Sequence, residues 1–200
     1  MMTKQKIRDV LKFTGAVICF PIYIPHLLAY GLGGGKLLIK QDVERTGTDY
    51  LSLNSFWGLL FLLHTNRYFR TLFYHRVGPV ISLLIGWWRP GDRYFIISKT
   101  CKIGPGVKVA HPYSTILNAE SIGKNFTCIQ CTTLGVKGNG RPVIGDNVLL
   151  GASVTIIGDV KIGNNVTIGA GAVVVKDIPD NAIAVGNPAR IIRYKEDNNN

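Results

Sequence analysis

The second half of this 200-residue chain holds a single histidine, His111; the other three are His26, His64 and His75. An imidazole titrates near neutral pH, with an ordinary pKa of about 6.5. It can therefore take the proton of an alcohol as that alcohol attacks a thioester. Beyond His111 comes a basic, glycine-rich stretch, Val136-Lys137-Gly138-Asn139-Gly140-Arg141-Pro142-Val143. A stretch of that kind contacts a ligand when it loops out of a regular scaffold. A zinc centre on such a scaffold would need three histidines, so the count excludes one, and no metal is expected. Cys128-x-x-Cys131 is a lone thiol pair in which Cys128 falls at an inward repeat position, so packing as a small hydrophobe outweighs redox work.

The scaffold that must position these residues is written in a period of six. Ile144, Leu150, Ile156, Ile162, Ile168 and Val174 stand six apart, and Val148, Val154, Val160, Val166 and Ala172 keep the same step. Glycine follows the first series at Gly145, Gly151, Gly163 and Gly169. Upstream, Ile97, Ile103 and Val109 hold the step, and Ile122, Cys128 and Leu134 resume it after a slip of one residue. Neither a helix nor an alternating strand selects that period. A hexapeptide repeat does: each hexad gives a short strand and a turn, three hexads make a triangular coil, and the branched residues stack inward. The fold class is therefore mainly β, a left-handed parallel β-helix of about four and a half coils over residues 97–178, with an N-terminal α-helical, apolar-basic region. From Leu134 the series resumes only at Ile144, so four extra residues loop out in the basic, glycine-rich stretch. The chain divides into residues 1–93, 94–178 for the β-helix, and a tail over 179–200.

The first region reads differently. Phe13 to Gly35 contains no charged residue and follows Lys4, Lys6, Arg8 and Lys12, but Pro21 and Pro25 interrupt it and Gly33-Gly34-Gly35 closes it. A broken segment lying on a surface, or a buried helix pair, fits better than a straight span. Leu53 to Leu63 reads as an apolar helix with Ser55 as N-cap. Asn66 to Arg76 alternates aromatic and cationic groups, as a headgroup interface or a subunit contact would. Pro79 to Trp88 is again apolar and ends in a tryptophan pair.

Net charge is +11. Residues 1–100 carry 13 basic and 5 acidic side chains, a net of +8, with sixteen of the nineteen aromatics; residues 101–200 carry 10 and 7, a net of +3. The cations of the first half sit among long apolar runs and no recognition motif is present, which excludes nucleic acid and points to an anionic membrane surface.

Val109-Ala-His111, Gln130-Cys-Thr-Thr-Leu-Gly135, Gly151-Ala-Ser153, Ile168-Gly-Ala-Gly-Ala-Val-Val174, Lys176-Asp-Ile-Pro179 and Gly186-Asn-Pro-Ala-Arg190 resemble the hexapeptide-repeat acyltransferases. The branch most resembled is that of the serine O-acetyltransferases and related sugar O-acetyltransferases. That resemblance covers roughly residues 96–193. It implies acetyl-CoA as donor, a homotrimer with sites at subunit boundaries, His111 as general base and no acyl-enzyme. It also implies pantetheine along Ala152, Gly169, Ala170 and Val175, with Lys176, Arg190 and Arg193 meeting the CoA phosphates. Arg141 belongs to the acceptor loop. Ala110 and Ile96 stand where the serine branch has aspartates, so Glu120 is the candidate to orient His111, and a saccharide or small hydroxylated acceptor is expected ahead of serine. The family's helical domain is not recognisable in the apolar first half. The expected location is the cytoplasm, at the inner face of the membrane if the first region attaches there.

Overall fold

The computed structural model describes residues 4–46 and 53–195 and divides the chain into two compact units, residues 1–92 and 93–200.

The first unit is helical: α1 (Lys4–Ile18), α2 (Phe20–Leu32), α3 (Lys36–Thr46), α4 (Ser55–Thr65), α5 (Arg67–Val77) and α6 (Pro79–Gly86). The apolar stretch breaks between α1 and α2, just ahead of Pro21, whereas Pro25 lies inside α2 without ending it. Pro21 opens α2, where a missing N–H costs nothing, and α1 and α2 meet at an 80° bend. Among the described residues no single helix is long and apolar enough to cross a membrane. The cap of α4 is Asn54, not Ser55: the Asn54 side chain accepts from the Trp57 N–H, while Ser55 is already helical. Asn66 ends α4 and starts α5, accepting from the N–H groups of Tyr68 and Phe69. The core gathers Tyr23, Ile39, Leu59, Leu63 and Phe73, all buried.

The aromatic and cationic segment 66–76 spends much of its apolar surface on the core of the unit. It is α5, and its helical period turns Phe69, Leu72 and Phe73 inward. Two of its arginines turn inward with them. Arg76 pairs with Asp42 at 2.9 Å with both side chains almost fully buried, and Arg70 donates to the Leu63 carbonyl at 2.7 Å. His26 is also buried. The Tyr74 hydroxyl donates to the Arg89 carbonyl, so it accepts from His26 Nε2 at 2.9 Å. Burial, followed by the nearby Arg70 and Arg89 charges, pushes the His26 pKa down to about 4, so the ring is neutral.

The second unit is the expected left-handed parallel β-helix. Its first face stacks β1 (Phe95–Ile97), β4 (Thr115–Leu117), β7 (Thr133–Gly135), β10 (Thr155–Ile157) and β13 (Val173–Val174). The second face stacks β2 (Lys102–Ile103), β5 (Ser121–Ile122), β8 (Val143–Ile144) and β11 (Lys161–Ile162). The third face stacks β3 (Lys108–Ala110), β6 (Thr127–Ile129), β9 (Leu149–Leu150), β12 (Thr167–Ile168) and β14 (Ala182–Val185). β14 continues the third face beyond residue 178, so the solenoid closes a fifth coil, and β15 (Arg190–Tyr194) returns antiparallel along it. The period-six residues form three inward columns, one per face. One runs Ile97, Leu117, Leu134, Ile156, Val174. A second runs Ile103, Ile122, Ile144, Ile162, Ile178. The third runs Val109, Cys128, Leu150, Ile168, Ala184.

The single-residue slip resolves into two opposite departures. From Val109 to its successor Leu117 the step is longer than six, and from Leu117 to Ile122 it is shorter. The surplus lies in the turn holding His111. Between the second and third faces the corner residues Asn125, Asn147, Asn165 and Asn181 take φ of 59, 57, 57 and 61°, a left-handed geometry that asparagine tolerates. Just before that corner, glycine is demanded by space: a Cβ on Gly145 would lie 2.7 Å from the carbonyl of Gly163 in the next coil.

Candidate active site

His111 occupies the corner between the third and first faces, in the widened turn that joins β3 to β4. It has φ of 49° and Ser114 has φ of 51°. Two non-glycine residues in that region within one turn are uncommon, and both side chains are exposed while Pro112 between them is buried. The His111 ring is exposed and makes no side-chain hydrogen bond among the described residues, while its carbonyl accepts from the Tyr113 N–H at 2.6 Å. Tyr113 and Tyr94, both exposed, place their rings 5.1 Å apart on this side of the solenoid. Sequence reasoning missed them. The available signal was Tyr113, one of three aromatics after residue 100.

The same corner continues up the solenoid. Cys131 N–H donates to the Tyr113 carbonyl, Ser153 N–H to Gln130, and Gly171 N–H to Ala152, each at 2.8–2.9 Å. Ala152, Gly169 and Ala170 therefore lie on the edge that carries His111, two to three coils away. Stacking alone accounts for some of the small residues here: a Cβ on Gly151 would lie 2.6 Å from the Ala170 nitrogen, and one on Gly169 would lie 2.7 Å from Val185 Cγ1. Gly171, with φ of 71°, faces open space.

Val175, Lys176 and Arg190 meet at the C-terminal end of the solenoid. They line a pocket of about 420 Å³ together with Asp177, Pro188, Ala189 and their neighbours. Arg193 lies apart from it, exposed on β15 opposite Ile183.

Glu120 and Arg141 lie elsewhere. Both sit at the corner between the first and second faces, across the width of the first face from His111. The Glu120 N–H donates to the Pro142 carbonyl, and Arg141 donates to Thr100 Oγ1 at 2.7 Å. The loop 136–142 is closed by paired Lys137–Gly140 hydrogen bonds and packs Gly140 against Asp159. Within one chain no hydrogen bond joins Glu120 to His111. The spacing along the sequence hid this because each face of the triangle takes only a few residues. Cys128 is fully buried in the third-face column, and burial pushes its thiol up to about 12. Among the described residues no three metal-ligating side chains converge.

The geometry is that of a parallel β-helix built from hexapeptide repeats. Residues 141–176 match the bacterial transferase hexapeptide (six repeats) family. Curated relatives are serine acetyltransferases. The probable serine acetyltransferase 2 of Oryza sativa subsp. japonica is 45% identical over 105 residues, covering 50% of this chain but only 30% of that protein. Serine acetyltransferase from Neisseria gonorrhoeae superposes with a TM-score of 0.66 at 25% identity, covering 81% of this chain and 67% of that one. Soybean serine acetyltransferase complexed with serine gives 0.68 at 28% identity, covering 83% and 73%. Residues 93–200 are little more than half of the chain. Coverage above 80% therefore takes in helices of the first unit as well, although its apolar sequence gave no sign of that likeness.

Proposed function

We propose that the chain is an acetyl-CoA-dependent O-acetyltransferase, with serine the acceptor that the comparisons favour. One observation carries the reading: His111 and the small-residue track Ala152, Gly169 and Ala170 share a single edge of the solenoid. With strands about 4.8 Å apart, three coil intervals separate the two ends by about 14 Å. An extended pantetheine arm laid along that edge would present its thioester near His111. The Lys176 and Arg190 pocket at the far end supplies cations for the CoA phosphates, with Arg193 assigned there on the family resemblance alone.

His111 takes the hydroxyl proton as the acceptor oxygen attacks the thioester carbonyl. A C–O bond forms, the C–S bond breaks, and the CoA thiolate leaves with the proton returned by the imidazolium. Backbone N–H groups stabilise the oxyanion, and no covalent acyl-enzyme forms. Glu120 and Arg141 lie a face away from His111, so a site using all three draws them from a neighbouring copy. The proposed assembly is a homotrimer, working where acetyl-CoA is found, in the cytoplasm.

A second reading, a saccharide hydroxyl, rests on a specific observation. By the family resemblance, Ile96 (half exposed) and Ala110 stand where the serine branch carries aspartates, so the acceptor side lacks those carboxylates. Release of free thiol from acetyl-CoA, measured with serine against nucleotide- and lipid-linked sugars, decides between them. Turnover with serine supports the first reading, turnover confined to sugars the second, and acceptor-independent background with all of them overturns both.

A further inference from the structure

The helical unit carries a surface that its own fold does not use. Helix α6 is apolar on both sides. Ile81 and Ile85 pack against the core, while Val80, Leu83, Leu84 and Trp87 are 68–79% exposed. Trp88, about half exposed, stacks edge-on against Trp87 with ring centroids 5.4 Å apart. The neighbouring α2 leaves Ile24, Leu28 and Leu32 exposed. Between the two helices lies an apolar cleft of about 310 Å³, walled by Pro21, Pro25, Leu84 and both tryptophans, with His26 among its lining residues. Exposed apolar groups clustered to this extent mark a surface that meets something other than water.

Charge decides what that something is. Three of the acids described in this unit are withdrawn from its surface. Asp9 is buried and accepts from Gln5, Asp42 is locked to Arg76, and Asp92 is buried against Arg67 at 2.7 Å. Glu44 remains exposed beside Lys40. Lys4, Lys6, Arg8 and Lys12 on α1 are all exposed. Asp42 and Asp92 are each offset by an arginine, so the exposed cations of α1 leave the surface of the unit positive. A protein partner would have to match tryptophan, leucine and a cationic field together. An anionic bilayer does so generically: apolar groups enter the acyl boundary, indole rings sit at headgroup depth, and lysines meet the phosphates.

We propose that the outer face of α6, with the exposed side of α2, docks the helical unit onto an anionic lipid surface. Docking is peripheral and independent of the acetyltransferase reading. It is carried by α6 and not by the aromatic and cationic α5, whose side chains are used inside. The full-length protein is tested by co-sedimentation with vesicles of pure phosphatidylcholine and of phosphatidylcholine with phosphatidylglycerol. Binding to the phosphatidylglycerol vesicles, weakened by salt, is expected. Leu83→Ser with Trp87→Ser should lower it about tenfold or more, with an unchanged circular dichroism spectrum. Lys6→Glu with Lys12→Glu, distant in sequence from the apolar face, should remove the preference for anionic vesicles. Absence of co-sedimentation overturns the proposal. So does binding that is indifferent to Leu83 and Trp87, or a fall in oligomeric mass by light scattering in the Leu83→Ser, Trp87→Ser protein, which would assign the face to a second copy.

Discussion

Replacing Gly145 by alanine adds one methyl group to the solenoid, and the sign of its effect is set by a single contact. Gly145 has an ordinary backbone conformation, so alanine meets no torsional penalty. Restricting the unfolded chain should by itself stabilise the fold by about 0.4–1 kcal/mol. The new Cβ, however, would lie 2.7 Å from the carbonyl carbon and oxygen of Gly163 and 2.8 Å from Asn164 Oδ1. None of these can retreat cheaply. Gly163 N–H donates to Ile178 O at 2.8 Å, and Asn164 Oδ1 already accepts from the Asp146 N–H. Overpacking of this kind costs about 1–3 kcal/mol, so the net expectation is a loss of about 1–2 kcal/mol. In a unit of about 100 residues each kcal/mol moves the melting midpoint by roughly 4–8 °C. Gly31→Ala in α2 is the control with the opposite sign. No atom lies within 4 Å of its added methyl, and a gain of about 0.5–1 kcal/mol is expected. Thermal melts of both variants, followed by circular dichroism at wavelengths favouring strand and helix, read the two units separately. A Gly145→Ala protein as stable as wild type would mean that consecutive coils do not touch there, and the register of the second face would be wrong.

Breaking the buried Asp42–Arg76 pair by Arg76→Ala should cost about 3–5 kcal/mol in urea unfolding. The joint replacement Asp42→Leu, Arg76→Met should cost much less, because no uncompensated charge is left inside. His26 is neutral in the fold but protonates readily when unfolded, so the unfolded state binds the extra proton. Its contribution is intact above about pH 6.5 and lost as pH falls towards about 4, and His26→Phe should flatten urea midpoints measured across that window. Cys128 is buried with its thiol pushed up to about 12, whereas Cys131 is exposed. Brief iodoacetamide treatment followed by peptide mass spectrometry should find Cys131 modified and Cys128 intact.

The solenoid was legible because its cause is periodic: a side chain that must point inward once per face recurs in sequence as an isoleucine, valine or leucine every sixth residue. The four-residue excursion after Leu134 was visible as a broken period for the same reason. Positions that obey no period were not legible. Glu120 and His111 are close in sequence yet lie at different corners of the triangle, because β4 carries the chain across a whole face between them. The last coil was missed because Ile178 follows Val174 at a shortened step, so the period appeared to stop where the strands do not. In the helical unit composition was informative and placement was not. The +8 charge and most of the aromatics fall together in the first half of the sequence, but only packing shows Arg70 and Arg76 turned inward and Leu83 and Trp87 turned out. Asn54 outdoes Ser55 as the cap because the residue before the first helical turn, not within it, can reach the free N–H groups.

The measurement that bears most directly on the proposed chemistry is the rate of CoA release by His111→Ala at saturating acetyl-CoA with the acceptor that supports turnover. Positioned proton transfer contributes about 10²–10⁴-fold. The variant should lose at least about a hundredfold in kcat while it binds CoA as wild type does. The side chain is exposed and makes no hydrogen bond in the fold, so stability should not change. A His111→Ala enzyme that turns over at the wild-type rate would contradict the assignment of this edge of the solenoid as the catalytic one.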